Sequence, residues 1–280
     1  MFGFLKRKKV DPKKCLAALM GDYALPSFPA VVLEALQEMR NEDGSAASVA
    51  RVISRDPGLS IRLLKLVNSA AYGSARKTES VQQAVSMLGM SQVEALLLAI
   101  GVRTALPDAD GPGFEASRFW RAAARRAEVA GVLAAEMHPA SRHLSFTAAL
   151  LGDMAVPLLA DCPSLPYEDV LEEWHRGAAA LEDLEQDAFG CHHGDVATWL
   201  CQEWDLPERL AEAIGGHHGD KELNCPAAVH LVGFLGETDE NDGVEELVAR
   251  ACELGLSPEH ARELVSLGFE RGDSLAAQFS

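Results

Sequence analysis

The chain has 280 residues, 48% hydrophobic and 24% charged, which excludes a disordered polypeptide and leaves ample length for a buried core. Its 42 acidic side chains against 25 Lys and Arg give a formal net charge of −17, which excludes a nucleic-acid binder working through a general basic surface. The charge is uneven: residues 1–14 carry +5, residues 15–160 carry −1 and residues 161–280 carry −21.

The N-terminus reads Met1-Phe2-Gly3-Phe4-Leu5 and then Lys6-Arg7-Lys8-Lys9. Its charges follow a very short apolar stretch, the reverse of a secretory signal. Residues 1–14 are expected to form a solvated basic tail, and weak contact with an anionic membrane surface is the one membrane interaction its charge suits.

Beyond it, period-2 alternation is almost absent, and a 3.6-residue period recurs from residue 29 onward. Val32, Leu33, Leu36 and Met39 share one face of a helix over 29–40. Asp56-Pro57 reads as an N-cap and first-turn proline, opening a helix apolar around much of its circumference. Asn68-Ser69 should end that helix and turn the chain, with Tyr72 anchoring the turn. Ser91 and Glu94 have capping-box spacing and predict a buried helix to about Ala105. Pro107 to Gly113 is the best breaker and predicts a subdomain boundary. Helices are then expected over 117–137, 145–160, 167–188, 193–203, 207–217 and 226–236, with Ser257-Pro258-Glu259 capping a last one to about Arg271.

The expected fold is therefore all-α, with two packed helical subdomains over 15–106 and 114–236. Residues 237–280 form a helical extension whose Val244, Leu247, Val248, Ala261, Leu264 and Val265 predict packing on the domain. The six cysteines include no CxxC pair and read as reduced thiols, hence a cytoplasmic protein. No integral membrane segment is expected, since the most intense apolar run, Ala95 to Val102, has eight residues.

Histidine is the unusual resource. His192-His193 and His217-His218 both fall at predicted helix ends, 25 residues apart, where side chains converge across antiparallel helices. Asp153 follows the apolar run Ala148 to Leu151 and must be capped, paired or turned into a polar pocket. One carboxylate with several imidazoles suits Zn, Mn or Fe, but the same residues also serve as caps and core hydrogen-bonding groups. No GxSxG, GxxxxGK[ST], HExxH or GxGxxG is present. Cys191 beside His192 reads as a structural thiol, because sequence neighbours rarely have the geometry of a nucleophile and its base.

A succession of motifs gives the family. Leu25-Pro26-Ser27-Phe28-Pro29, Asp56-Pro57-Gly58-Leu59, Leu66 to Gly73 and Ala84-Val85-Ser86-Met87-Leu88-Gly89 come first. Phe119-Trp120, Ala149-Leu150-Leu151-Gly152-Asp153, Glu185, Phe189-Gly190, His193, Trp204-Asp205-Leu206-Pro207 and His217-His218 follow. The ordered set, over residues 20 to 235, resembles the HDOD domain, a bacterial signalling module related to the HD metal-dependent phosphohydrolases. The resemblance implies an HD-phosphohydrolase-like second subdomain and a role in signal output.

It also implies losses. Asp153 matches the Asp of the His-Asp dyad, but Gly152 stands where its His belongs; Ala122 falls at the first His and Gly233 at the final Asp. Val156 replaces the Lys of the cyclic-di-GMP phosphodiesterase branch, whose Gly-Tyr-Pro signature is also missing. Asp153, His193, His217 and His218 remain as residual metal candidates, too few for a two-metal centre. The expectation is no metal or other cofactor, no catalysis and a separate signalling protein as partner. The alternatives are a metal-dependent phosphohydrolase built on those four residues, and a nucleotide sensor in which Arg121, Arg125 and Arg126 meet phosphate rather than form a solvated face.

Overall fold

The computed structural model describes residues 25–69, 77–108, 110–111, 113–219, 224–236 and 243–278. The expected basic tail and Tyr72 lie outside these residues. Of the described residues 71% are helical, and none lies in a strand.

The first helices are α1 (Ala30–Arg40), α2 (Ala46–Ile53), α3 (Pro57–Val67), α4 (Val81–Leu88) and α5 (Met90–Ala105). Asp56 caps α3, its side chain accepting from the Leu59 amide at 2.8 Å, with Pro57 in the first turn. Asn68 ends that helix by donating to the carbonyls of Leu64 and Thr78 and accepting from the Thr78 amide, so one side chain closes the helix and holds the returning chain. The Ser91–Glu94 capping box is not formed. Gly89, at φ 78°, is the N-cap instead, and Ser91 lies inside α5. The α4–α5 junction is too tight for an intervening cap residue, since one glycine ends the first helix and begins the second.

The long α6 (Ala116–Met137) is followed by a 3-10 turn over Pro139–Ser141, then α7 (Arg142–Leu151) and α8 (Val156–Ala160). Next come α9 (Tyr167–His175), α10 (Leu181–Phe189), α11 (His193–Glu203), α12 (Glu208–Gly215), α13 (Ala227–Val232), α14 (Val244–Glu253) and α15 (Pro258–Ala276). Two predicted helices are thus split. The 145–160 segment breaks at Gly152–Ala155, and 167–188 breaks around Gly177, whose φ of 75° suits glycine. Residues 139–160 also correct the apolar-run argument: an 18-residue window within them has a mean hydropathy of 1.4 and matches a membrane span in length and composition. In the fold residues 139–160 comprise the 3-10 turn, α7 and α8, and 78% of that window is buried, so core burial accounts for its hydropathy.

One continuous core joins the early and late helices, including Leu36, Ile53, Leu63, Leu97, Phe119, Leu150, Leu200 and Ile214. Phe28 packs on Trp204 at 5.2 Å between ring centroids, and the Trp204 indole N–H donates to the Pro26 carbonyl at 3.0 Å. A second core forms around Val129 and Leu133 of α6 with Leu231, Leu247 and Val265. The C-terminal extension therefore packs on the domain as expected. α15 lies unusually close to α6: a Cβ at Gly268 would stand 2.7 Å from the Val129 Cα, and one at Gly272 would stand 2.5 Å from the Arg125 Cα.

Candidate functional site

Three chain reversals build the site. α7 ends at Leu151, and the following turn delivers Asp153. Gly190 ends α10 at φ 81°, in the left-handed region that a side chain disfavours. The chain then turns through Cys191 to His192, which caps α11: its Nδ1 accepts from the Gly194 amide, and its own amide donates to Asp195. His193 is left in the first turn of α11, 1% exposed. α12 ends at Gly215, and the turn after it carries His217 and His218.

The four residues singled out from the sequence come together. His193 Nε2 and His217 Nε2 lie 3.2 and 3.1 Å from Asp153 Oδ1, and His218 Nε2 lies 2.7 Å from His193 Nε2. One ligand atom from each lies within 4.8 Å of all the others. Each imidazole also has an oxygen partner at Nδ1: Glu185 at 2.6 Å for His193, the Ile214 carbonyl at 2.5 Å for His217 and Glu182 at 3.2 Å for His218. These oxygens accept, so Nδ1–H donates to each and three Nε2 atoms face inward with the carboxylate. Such outward carboxylate and carbonyl contacts are the usual support of metal-ligating histidines.

The electrostatics follow from burial and neighbours. Burial opposes ionisation of Asp153, yet Arg126 and the hydrogen bond from His193 hold its carboxyl well below the usual range. Burial disfavours the imidazolium of His193, but Glu185 and Asp153 overcome it and hold the proton well above the ordinary histidine range. For His217 burial wins and the pKa falls. Glu185 stays low despite burial, because His193 and the Tyr167 hydroxyl both donate to it. Glu182 is lowered to about 2 against burial by hydrogen bonding to His218.

Sequence reasoning offered Arg126 only together with Arg121 and Arg125, as a cluster that meets phosphate or forms a solvated face. It gave Glu182 and Glu185 no role in the site. Arg126 donates to Asp153 Oδ2 at 2.5 Å, so it is neither on a solvated face nor grouped with Arg121 and Arg125, which pair with Asp273 of α15. Glu182 and Glu185 sit three apart on α10, the spacing that puts both on one helical face. Their proximity to His193 in the chain was the available signal. Gly152 and Gly233 line the same recess of about 230 Å3, with Trp174 and Phe234 among its apolar walls; Ala122 is not among its lining residues. A Cβ at Gly152 would stand 3.3 Å from His217 Cδ2, so the missing dyad position does face this cluster. Cys191 is buried, as expected of a structural thiol.

The family model of the HDOD domain matches residues 25–219. Among curated proteins, an uncharacterised protein of Treponema pallidum (strain Nichols) is 27% identical over 209 residues, 72% of this chain and 40% of its own length. YuxH of Bacillus subtilis (strain 168), also uncharacterised, is 36% identical over 61 residues, 22% of this chain and 15% of its own. The chain thus spans less than half the length of these relatives. A solved structure from Shewanella amazonensis SB2B, provisionally named a phosphohydrolase, superposes with a TM-score of 0.71 at 22% identity, covering 93% of this chain and 98% of that one. One from Marinobacter aquaeolei VT8, provisionally named a signal transduction protein, gives 0.73 at 21% identity, covering 99% and 68%. An HDOD domain protein of unknown function from Geobacter sulfurreducens gives 0.67 at 21% identity, covering 95% and 92%. At these identities the likeness is one of fold.

Proposed function

The chain belongs to the HDOD domain family, and from that premise we propose that it is a cytoplasmic signalling module that acts by binding a partner protein and does not turn over phosphoesters. The observation that carries this reading is the Arg126–Asp153 pair, 2.5 Å apart and largely buried. An aspartate that bridges two catalytic metals uses both carboxylate oxygens. Here one oxygen meets two imidazoles and the other meets a cation supplied by the chain itself. Gly152 and Gly233 add no ligand from the same wall. The exposed acids of α9 and α10, among them Glu168, Asp169, Glu173, Asp183 and Asp187, suit a basic face on the partner.

A second reading is favoured by donor accounting. With the three Nδ1–H groups directed outward, three Nε2 atoms and Asp153 Oδ1 converge; a proton on His193 serves some of these contacts but leaves His217 Nε2 facing Asp153 Oδ1 at 3.1 Å. A cation resolves that opposition, and the donor set fits one divalent ion held by Asp153, His193, His217 and His218. Such an ion would supply Lewis-acid charge in the recess, where Arg126 would orient an anionic group.

Metal analysis of protein purified without chelator, with a phosphodiester assay in added Mn, tests both readings. The module reading expects turnover at background and equal for wild type and Asp153→Asn. Metal-dependent turnover that Asp153→Asn abolishes would overturn it. Near-stoichiometric metal without turnover would retain the module and add one structural ion.

A further inference from the structure

Away from the histidine cluster, a recess among the described residues has the opposite charge balance to the chain. It holds about 280 Å3 between α3, the end of α5 and the end of α15, and its lining includes Arg62, Lys65, Arg103, Thr104, Asp108 and Gln278. None of these residues lines the recess at Asp153. Arg103 is largely buried and doubly held, with its guanidinium 5.4 Å over the Trp120 ring and donating to Asp108 at 2.7 Å. Its buried Nε has no hydrogen-bond partner. Arg62 donates to the Thr104 hydroxyl at 2.5 Å, and that hydroxyl donates onward to the Ile100 carbonyl.

Charge accounting is then direct. Asp108 offsets Arg103, whereas Arg62 is held by a neutral oxygen and Lys65 has no ion pair among the described residues. Among the described residues two positive charges stay uncompensated beside fixed guanidinium and hydroxyl groups, in a protein of net charge −17. We propose that this recess binds the phosphate of a phosphomonoester. Such a group carries about −1.5 to −2 charges near neutral pH, matching the two cations without an ion pair among the described residues, and guanidinium forks suit its oxygens. The surrounding acidity disfavours a long polyanion, whose distal charges would meet a repelling surface. A compact dianion places all its charge inside the recess. The same phosphate chemistry occurs in a soluble metabolite and in a phosphatidic acid headgroup; exposed Ile61, beside Arg62, is compatible with the second source.

The test uses the full chain and its Arg62→Glu/Lys65→Glu variant at fixed ionic strength. Glycerol 3-phosphate is titrated calorimetrically, and co-sedimentation is measured with phosphatidylcholine vesicles with and without phosphatidic acid. Both substituted positions are exposed, so the variant should fold, and circular dichroism checks it. The expected result is binding of one probe that the double variant weakens by at least about tenfold, because two charge-assisted contacts become repulsive. Loss in the soluble arm assigns a metabolite, and loss in the vesicle arm alone assigns a headgroup. Binding unchanged in the variant, or no wild-type binding of either probe at about 10 mM, would overturn the proposal.

Discussion

Helix α6 sends arginines to two aspartates within little more than one turn, and the two destinations differ. Arg126 reaches Asp153 inside the histidine cluster, with side chains 12% and 20% exposed. Arg121 and Arg125 reach Asp273 on α15, where the aspartate is 40% exposed. The inner pair is bounded by two imidazoles and the walls of a recess, so losing one partner leaves a charge with little water to replace it. The outer pair is a staple between helices already brought together at Gly268 and Gly272. Glu128, two residues beyond Arg126, marks a third situation. It is buried on α6, with Arg271 and Arg142 near enough to act through space, and burial lifts its pKa to about 7. The same chemical pairing therefore yields a site, a staple or an unmet charge according to what surrounds it.

Removing Arg126 should have the largest effect. Arg126→Met should lower unfolding free energy at pH 7 by about 2–4 kcal/mol in urea denaturation, since Asp153 keeps its imidazoles but loses its cation. A loss smaller than that caused by substituting Asp273 would reverse the comparison. Next, Glu128→Gln should stabilise the protein at pH 8 by about 2–3 kcal/mol. The sign follows from a folded pKa raised from 4.5 to about 7: the charge penalty is absent below the lower value and complete above the higher one. The advantage of the variant should vanish by about pH 4.5, as thermal melts across that range would show. The smallest effect belongs to Asp273→Asn, at about 1 kcal/mol or less, because the carboxylate is well solvated. Its pKa is depressed from 3.8 to about 2, so its contribution is present above the first value and is lost as pH falls through the second. Wild type and variant should converge in acid melts at that lower limit.

Legibility differed between fold and site for physical reasons. Helix positions followed from periodicity and from caps such as Asp56 and Ser257, which act within one turn of the chain. The capping box at Ser91 failed because Gly89 makes a tighter junction, and the 145–160 helix broke at the turn that presents Asp153. The convergence of Asp153, His193, His217 and His218 was legible, because both histidine pairs sit at helix ends. Arg126 was not told apart from Arg121 and Arg125, and Glu182 and Glu185 were not assigned to the site, since nothing local separates a surface charge from one that a distant turn meets.

The sequence by itself determined the all-α class, the family and the four polar side chains at the centre, because these depend on periodicity, local capping and an ordered run of motifs. Only the tertiary structure decided which of three neighbouring arginines enters the cluster, which cations stay uncompensated around Arg62, and that α15 closes against α6. Those outcomes depend on charges and backbones separated by tens to more than a hundred residues, and electrostatic energy is set by distance and dielectric, neither of which the order of residues contains.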